Sequence, residues 1–171
     1  MPEQAVNLLS LRDTLAEALT HSIQSDPDSV ETATLRLIQC AIGDRDALAR
    51  EQGECQGCPD KHVYDLLQVM AEQRRQSANQ YDESGRIEEA ERERAELAII
   101  ESYLPRKLDA DELKNAVSEV IVSLEAQKLK DLGRCMKALK ERFPGRVETG
   151  SAKSELRSAL QNVDAVSRSD M

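Results

Sequence analysis

The chain has 171 residues, a net charge of −9 and 2% aromatic residues, with no Trp. This length suits one medium domain or two small ones, whose core must be filled by aliphatic side chains and Met. No window approaches about 18 apolar residues, which excludes a membrane span, and four Cys do not indicate a secreted disulfide scaffold. The N-terminus has no basic region before an apolar run, so we expect a cytoplasmic protein.

The apolar residues recur at helical spacing, and no strictly alternating run indicates a strand, so we predict an all-α fold. Helix 1 is predicted over residues 10–24, with Ser10 as its N-cap. Its apolar stripe consists of Leu8, Leu11, Leu15, Leu19 and Ile23.

Helix 2 is predicted over residues 29–51, with Leu35, Ile38 and Ile42 in its stripe. Arg45 falls in the middle of this stripe. A buried arginine needs a carboxylate or helix-end carbonyl groups as its partner, so we expect one beside it.

Residues 52–59 form a predicted loop that contains Cys55-Gln56-Gly57-Cys58. Together with His62 and Cys40, these thiols could supply the four ligands of a zinc ion, or the two loop Cys could form a redox pair. The spacing is not standard for zinc, so we expect a loop with reduced thiols and no metal or cofactor.

Residues 60–82 and 86–104 are predicted to form helices 3 and 4, with Asp60 as the N-cap of helix 3. The short connection 83–85 indicates a helical hairpin. Its two apolar ends pack in an N-terminal bundle, and its charged ends form the tip. Pro105 cannot continue a helix, so it ends the hairpin.

Three further helices are predicted after Pro105, starting near Asp109, Asp131 and Thr149 or Ser151. Asp109 and Glu112 are predicted to form a capping box, and helix 5 is expected to end near Gln127. We therefore expect an N-terminal helical bundle over residues 1–105, a small C-terminal three-helix unit over 106–163 and a flexible tail over 164–171.

Basic residues concentrate in residues 128–153, where eight Lys and Arg face three acidic residues. That net charge of +5 leaves −14 for the rest of the chain, so this segment is a candidate surface for an anionic ligand. The predicted nucleic-acid-binding residues are Lys130, Gly133, Arg134, Lys137, Lys140 and Arg146. The alternative is an ordinary solvated helix face.

Gly133 admits two explanations, either close approach of another backbone or the start of a helix with free N–H groups.

No catalytic residues are predicted. Neither His21 nor His62 has a nearby nucleophile with a third orienting group, and no phosphate-binding loop or zinc-protease motif occurs.

Several sequence blocks resemble the GatB/YqeY family in order and spacing, over about residues 10–160. The most specific are QRRQSANQYDESGR, ending in YLP, and DLGRCMKALKERFPGR. The positions that match the family pattern are Arg74, Arg75, Tyr81, Gly85 and Arg86, followed by Gly133, Lys137, Lys140, Gly145 and Arg146. The Cys55–Cys58 loop departs from that pattern.

The resemblance implies an all-helical protein similar to the tail of the GatB subunit of tRNA-dependent amidotransferases. That tail contacts tRNA, whereas the catalytic part of the subunit lies elsewhere. The family label is carbon–nitrogen ligase activity with glutamine as amide donor, and we expect no catalysis by this chain alone. The expected partner is tRNA or another structured RNA. A protein of the translation machinery is a second candidate partner. The alternative function is a protein–protein adaptor that does not bind RNA.

Overall fold

The computed structural model describes residues 10–169 and confirms the all-α prediction, since that range contains seven α-helices, one short 3-10 turn and no strand. The helices are α1 (Leu11–Ser25), α2 (Val30–Glu51), α3 (Asp60–Glu83), α4 (Ile87–Ser102), α5 (Ala110–Ser123), α6 (Leu132–Arg142) and α7 (Thr149–Ser169). Leu8 lies outside the described residues. The flexibility of residues 164–171 stays a prediction, with α7 continuing to Ser169.

The chain divides into two compact units, unit 1 ending at Leu104 and unit 2 beginning at Pro105. Each unit has a hydrophobic core of its own. The unit 1 core consists of Leu11, Leu15, Leu35, Ile38, Ile42, Cys58, Val63, Leu66, Leu67, Ala71 and Ile100. Among the described helices, none combines the length and the hydropathy needed to cross a bilayer.

Serine caps begin the first two helices, and the cap predicted at Ser10 is confirmed. The Ser10 hydroxyl accepts a hydrogen bond from the Asp13 N–H at 3.1 Å, and the Ser29 hydroxyl accepts one from the Thr32 N–H at 3.1 Å. Each such cap satisfies a backbone donor that the helix leaves free, and contributes about 1 kcal/mol.

The prediction that Asp60 caps α3 is wrong. Pro59 occupies the N-cap position of α3 and makes no side-chain cap bond. Asp60 instead accepts a hydrogen bond from the Leu11 N–H at 3.2 Å, which is the first backbone donor of α1. The carboxylate therefore satisfies the start of a different helix, which local sequence patterns do not reveal.

The prediction that Arg45 lies buried in the α2 stripe is also wrong. Ile38 and Ile42 are buried as expected, but Arg45 is exposed and the next residue, Asp46, turns toward the protein. Ile38, Ile42 and Asp46 are four residues apart and share one helix face, so Asp46 continues the inward side of α2 while Arg45 lies off it and is solvated by water.

Asp46 forms part of a three-residue contact, the Arg12 clasp, which consists of Arg12, Asp46 and Cys58. The guanidinium of Arg12 donates to both Asp46 oxygens, at 2.7 and 3.1 Å, and to the Cys58 carbonyl oxygen at 2.7 Å. The Cys58 N–H donates to Asp46 Oδ1 at 3.0 Å. The clasp thus ties α1 to α2 and to the loop before α3.

Gly57 allows the loop to approach Asp46 closely. Its φ of +85° is left-handed, and a Cβ added there would lie 2.6 Å from Asp46 Oδ1. Glycine therefore meets two requirements at this position, a backbone conformation that L-residues rarely adopt and the absence of a side chain.

The α3–α4 hairpin turns at Gly85, whose φ is +72°. The Gly85 N–H donates to the Asp82 carbonyl oxygen at 3.0 Å, and the Arg86 N–H donates to that of Tyr81 at 2.8 Å. This pair of bonds is the Schellman ending of a helix, and it satisfies carbonyl groups that would otherwise lack partners. The predicted hairpin is confirmed.

Helix α5 ends earlier than predicted, at Ser123, because it closes with the same kind of turn. Glu125 adopts a left-handed φ of +49° without being glycine. Its N–H donates to Val122 O at 3.1 Å, and the Ala126 N–H donates to Ile121 O at 3.0 Å. Ala126 is buried, so its apolar contact stabilises an ending that the residue type at position 125 does not indicate.

Unit 2 consists of α5, α6 and α7, which all pack against one another. The predicted capping box at the start of α5 is confirmed: Asp109 accepts from the Glu112 N–H at 2.8 Å, and Glu112 accepts from the Asp109 N–H at 3.0 Å. The core of the unit consists of Leu113, Ala116, Val117, Val120, Ile121, Ala126, Cys135, Leu139, Val147, Ala152, Leu156 and Leu160.

The few aromatic residues are divided unevenly between the units. Tyr64 and Tyr81 lie on α3, and Tyr103 directly follows α4, so all three tyrosines belong to unit 1. Phe143, the single Phe of the chain, follows α6 in unit 2 and is partly buried against its core.

Candidate nucleic-acid interface

A short turn that is held by hydrogen bonds to the Asp131 carboxylate precedes α6 and contains Lys130. Residues Leu129–Asp131 form the 3-10 turn. The Asp131 carboxylate accepts hydrogen bonds from the N–H groups of Gln127 and Lys128, at 3.1 and 3.2 Å. These bonds favour the ionised form and hold the pKa of Asp131 below its ordinary value. Lys130, in the middle of the turn, is exposed.

One face of α6 is apolar and packs in the unit 2 core. Cys135 and Leu139 are fully buried, and Leu132 and Met136 pack beside them. Side chains three and four positions apart share a helix face, so the remaining positions of α6 must turn away from the core. This arrangement follows directly from the 3.6-residue period of the sequence.

The outer face of α6 carries the predicted basic row. Gly133, Arg134 and Lys137 are exposed, as is Lys130 just before the helix, whereas Lys140 is partly buried. We call Lys130, Arg134 and Lys137 the α6 basic row. Glu141 is also exposed and is the acidic residue within α6. The row therefore offers three cations to solvent on one side of a short, fixed helix.

Arg134 is exposed but held in place. Its guanidinium donates to the Leu124 carbonyl oxygen at 3.2 Å and pairs with Asp131 at 3.3 Å. These contacts involve one of its nitrogens, Nη2, and the Arg134 side chain remains 55% exposed. Partial neutralisation by Asp131 lowers its charge locally, while the hydrogen bonds reduce the entropy that it would lose on binding an anion.

Gly133 lies in the first turn of α6, which begins at Leu132. A Cβ added to Gly133 would meet nothing within 4 Å, so no contact inside the described part of the protein requires glycine there. Of the two sequence-based explanations, the structure places Gly133 at a helix start with open space above the backbone.

Arg146 takes a different place from the rest of the predicted set. Its Nε donates to the Arg106 carbonyl oxygen at 3.0 Å, and its Nη2 lies 3.6 Å from Glu112. The turn at Phe143-Pro144-Gly145 directs it there, with Gly145 at φ +72°. Arg146 therefore organises the start of α5, a tertiary role that the basic pattern did not reveal.

The thiols of the loop do not assemble a metal site. Among the described residues, no group of three or more His, Cys, Asp or Glu side chains lies close enough to hold a metal ion. Cys55 and Cys40 are exposed, whereas Cys58 is buried in the unit 1 core.

Comparison with known proteins decides the family. The family model described as Yqey-like protein matches residues 12–160, which is most of the chain. The chain belongs to the YqeY-like protein family. No curated protein sequence matches it significantly.

In this YqeY-like protein, the family-pattern arginines of unit 1 hold the hairpin together. Arg74, on α3, pairs with Glu93 at 3.5 Å and Glu96 at 2.9 Å, both on α4. Arg75 reaches across to Glu101 at 2.7 Å. These contacts account for the first two arginines as structural residues of the scaffold.

Arg86 lies at the hairpin tip of the YqeY-like protein. Its guanidinium stacks over the Tyr81 ring, 4.6 Å from the ring centroid, and pairs with Glu89 at 2.7 Å. The neighbouring Ile87 is 56% exposed. At the tip, the guanidinium of Arg86 is therefore held in place next to the exposed apolar side chain of Ile87.

Proposed function

We propose that this YqeY-like protein is an RNA-binding accessory protein, and that the α6 basic row contacts backbone phosphates. The observation that carries the proposal is the exposure of Lys130, Arg134 and Lys137, none of which belongs to the unit 2 core. Lysine and arginine supply the phosphate contacts that dominate RNA affinity.

The charge distribution supports the same surface. Residues 128–153 carry +5 within a chain of −9, so the acidic remainder repels a polyanion and restricts it to this segment. Such an uneven distribution selects one binding orientation, because any other approach brings phosphates near carboxylates.

The chemistry of the row favours structured RNA over single strands. Unit 2 contains no Tyr or Trp, and its Phe143 is partly buried against the core, so the unit offers no fully exposed ring for base stacking. Single-stranded RNA is commonly held by such stacking, whereas helical RNA can be recognised through its backbone. Transfer RNA is the structured RNA that the likeness to the GatB tail suggests.

The test measures tRNA binding by filter retention or fluorescence anisotropy at two salt concentrations. We expect Arg134→Glu combined with Lys137→Glu to weaken binding about 100-fold and to lower the salt slope by about 2. The matched control is Arg45→Glu with Arg50→Glu, which changes the net charge equally on exposed residues of α2. Undetectable binding by the unmodified protein, or equal losses in both variants, would contradict the proposal.

A protein adaptor is the second candidate, and the hairpin tip favours it. Arg86 and Ile87 form an exposed cation and apolar pair on a rigid helical hairpin, which suits docking to another protein. Co-purification of a stoichiometric protein that is lost in Arg86→Ala, without bound RNA, would support this function in place of the first.

A further inference from the structure

The loop between α2 and α3 holds two thiols in contrasting surroundings. Cys55 is exposed, and its sulfur lies 3.8 Å from the Gly53 carbonyl oxygen. Cys58, three residues later, is only 6% exposed. Between them, the chain turns through a hydrogen bond from the Gly57 N–H to Glu54 O at 3.0 Å. This C-x-x-C spacing is the one used by dithiol redox motifs.

Every polar group of Cys58 is engaged in the Arg12 clasp. Its N–H donates to Asp46, its carbonyl oxygen accepts from Arg12, and its sulfur lies 3.5 Å from Arg12 Nη2. The sulfur of Cys58 therefore faces inward at a guanidinium, while that of Cys55 is accessible to solvent. Because the Cys58 sulfur is buried against Arg12 and the Cys55 sulfur is exposed, a bond between them would draw the Cys58 side chain out of its contact with Arg12.

We propose that Cys55 and Cys58 are a reversible oxidation site, and that formation of their disulfide opens the Arg12 clasp and loosens the start of α1. The proposal is independent of RNA binding. Its substrate class is a low-molecular-weight disulfide such as oxidised glutathione.

The reaction is two thiol–disulfide exchanges. The Cys55 thiolate attacks one sulfur of oxidised glutathione, which releases one glutathione thiolate and leaves a mixed disulfide on Cys55. The Cys58 thiol loses its proton to water, and its thiolate then attacks the Cys55 sulfur and releases the second glutathione. Two protein thiols are oxidised to one disulfide, and one glutathione disulfide is reduced to two thiols.

The clasp controls the second exchange. Burial, together with the neighbouring Asp46 carboxylate, raises the pKa of the Cys58 thiol although Arg12 acts in the opposite direction, so the buried thiol stays protonated and unreactive. Opening exposes the thiol and lets it ionise. Because linkage is reciprocal, a clasp that disfavours the disulfide is itself destabilised once the disulfide forms. Gly53 and Gly57, both at left-handed φ, lie two residues before and two residues after Cys55, and glycine has access to more backbone conformations than other residues.

The experiment uses the full chain carrying Cys40→Ser, which removes the other exposed thiol, and adds oxidised glutathione. Intact mass and alkylation should show a Cys55–Cys58 disulfide that glutathione reverses. Hydrogen exchange of the first turn of α1 should accelerate about tenfold on oxidation. The same protein with Cys55→Ser should show no change in exchange.

A second variant tests the coupling without removing a thiol. Arg12→Lys keeps the positive charge but lacks the guanidinium that donates to Asp46 and Cys58 at the same time. The Cys55–Cys58 disulfide of this variant should therefore form at a lower ratio of oxidised to reduced glutathione. A mixed disulfide that stops at Cys55, a disulfide without faster exchange in α1, or an unchanged ratio in Arg12→Lys would overturn the proposal.

Discussion

An Arg12→Met variant should lose about 2–4 kcal/mol of unfolding free energy in unit 1. Methionine retains part of the packing volume but leaves the Asp46 carboxylate, whose side chain is only 13% exposed, without its guanidinium. An uncompensated charge in such a site is costly, and partial contact with water keeps the loss at the lower end for buried pairs. Urea unfolding followed by circular dichroism measures the change.

Arg36→Met is the control for this variant. Arg36 is exposed on α2, and its guanidinium contacts the Pro27 carbonyl oxygen at 3.3 Å. Its removal should change stability by no more than about 0.5 kcal/mol. Equal effects of the two substitutions would show that the clasp contributes no more than an ordinary surface arginine.

Acid should weaken the clasp in a defined pH range. The Arg12 guanidinium lowers the pKa of Asp46 from 3.8 to about 2. Because the folded state has the lower pKa, the carboxylate contributes its full stabilisation above about pH 4 and loses it as the pH falls toward 2. Unfolding free energy between pH 5 and about 2 should therefore fall more steeply in the unmodified protein than in Arg12→Met.

A Leu156→Ala variant should destabilise unit 2 by about 2–5 kcal/mol. Leu156 is fully buried in the core of a small three-helix unit, where removal of the side chain leaves a cavity. A unit of this size has little stability to spare, so a loss of this magnitude unfolds a large fraction of it. Hydrogen exchange should lose protection in α5, α6 and α7.

Two matched leucine substitutions locate the effect. Leu129→Ala removes the same side chain from a position that is 48% exposed in unit 2, and should leave protection nearly unchanged. Leu67→Ala truncates a fully buried leucine of the unit 1 core and should reduce protection in α1 to α4. Loss of protection throughout the chain in Leu156→Ala would refute independent cores.

The helices could be predicted from sequence because each has a local signal. The leucine and isoleucine stripes, the serine caps and the Asp109–Glu112 box all depend on residues within one or two turns. The outward direction of Lys130, Arg134 and Lys137 followed from the same periodicity, once the opposite face of α6 was recognised as core.

The interpretation failed where a side chain acts on a distant part of the chain. Asp60 binds the first turn of α1, and Asp46 rather than Arg45 faces the protein, because both carboxylates meet partners that lie far away in sequence. Arg146 also reaches back to Arg106, a contact that the basic pattern did not indicate. Long or charged side chains can turn in several directions, so only the packed structure decides between them.

The uneven placement of aromatic residues makes the two units distinguishable by optical spectroscopy. Tyrosine emission arises entirely from unit 1, since the chain has no Trp and unit 2 has no Tyr. Intrinsic fluorescence therefore reports on the hairpin and its bundle and is blind to unit 2, whereas far-ultraviolet ellipticity records both. Melting curves recorded by the two methods, without any added label, therefore compare the unfolding of unit 1 with that of the whole chain.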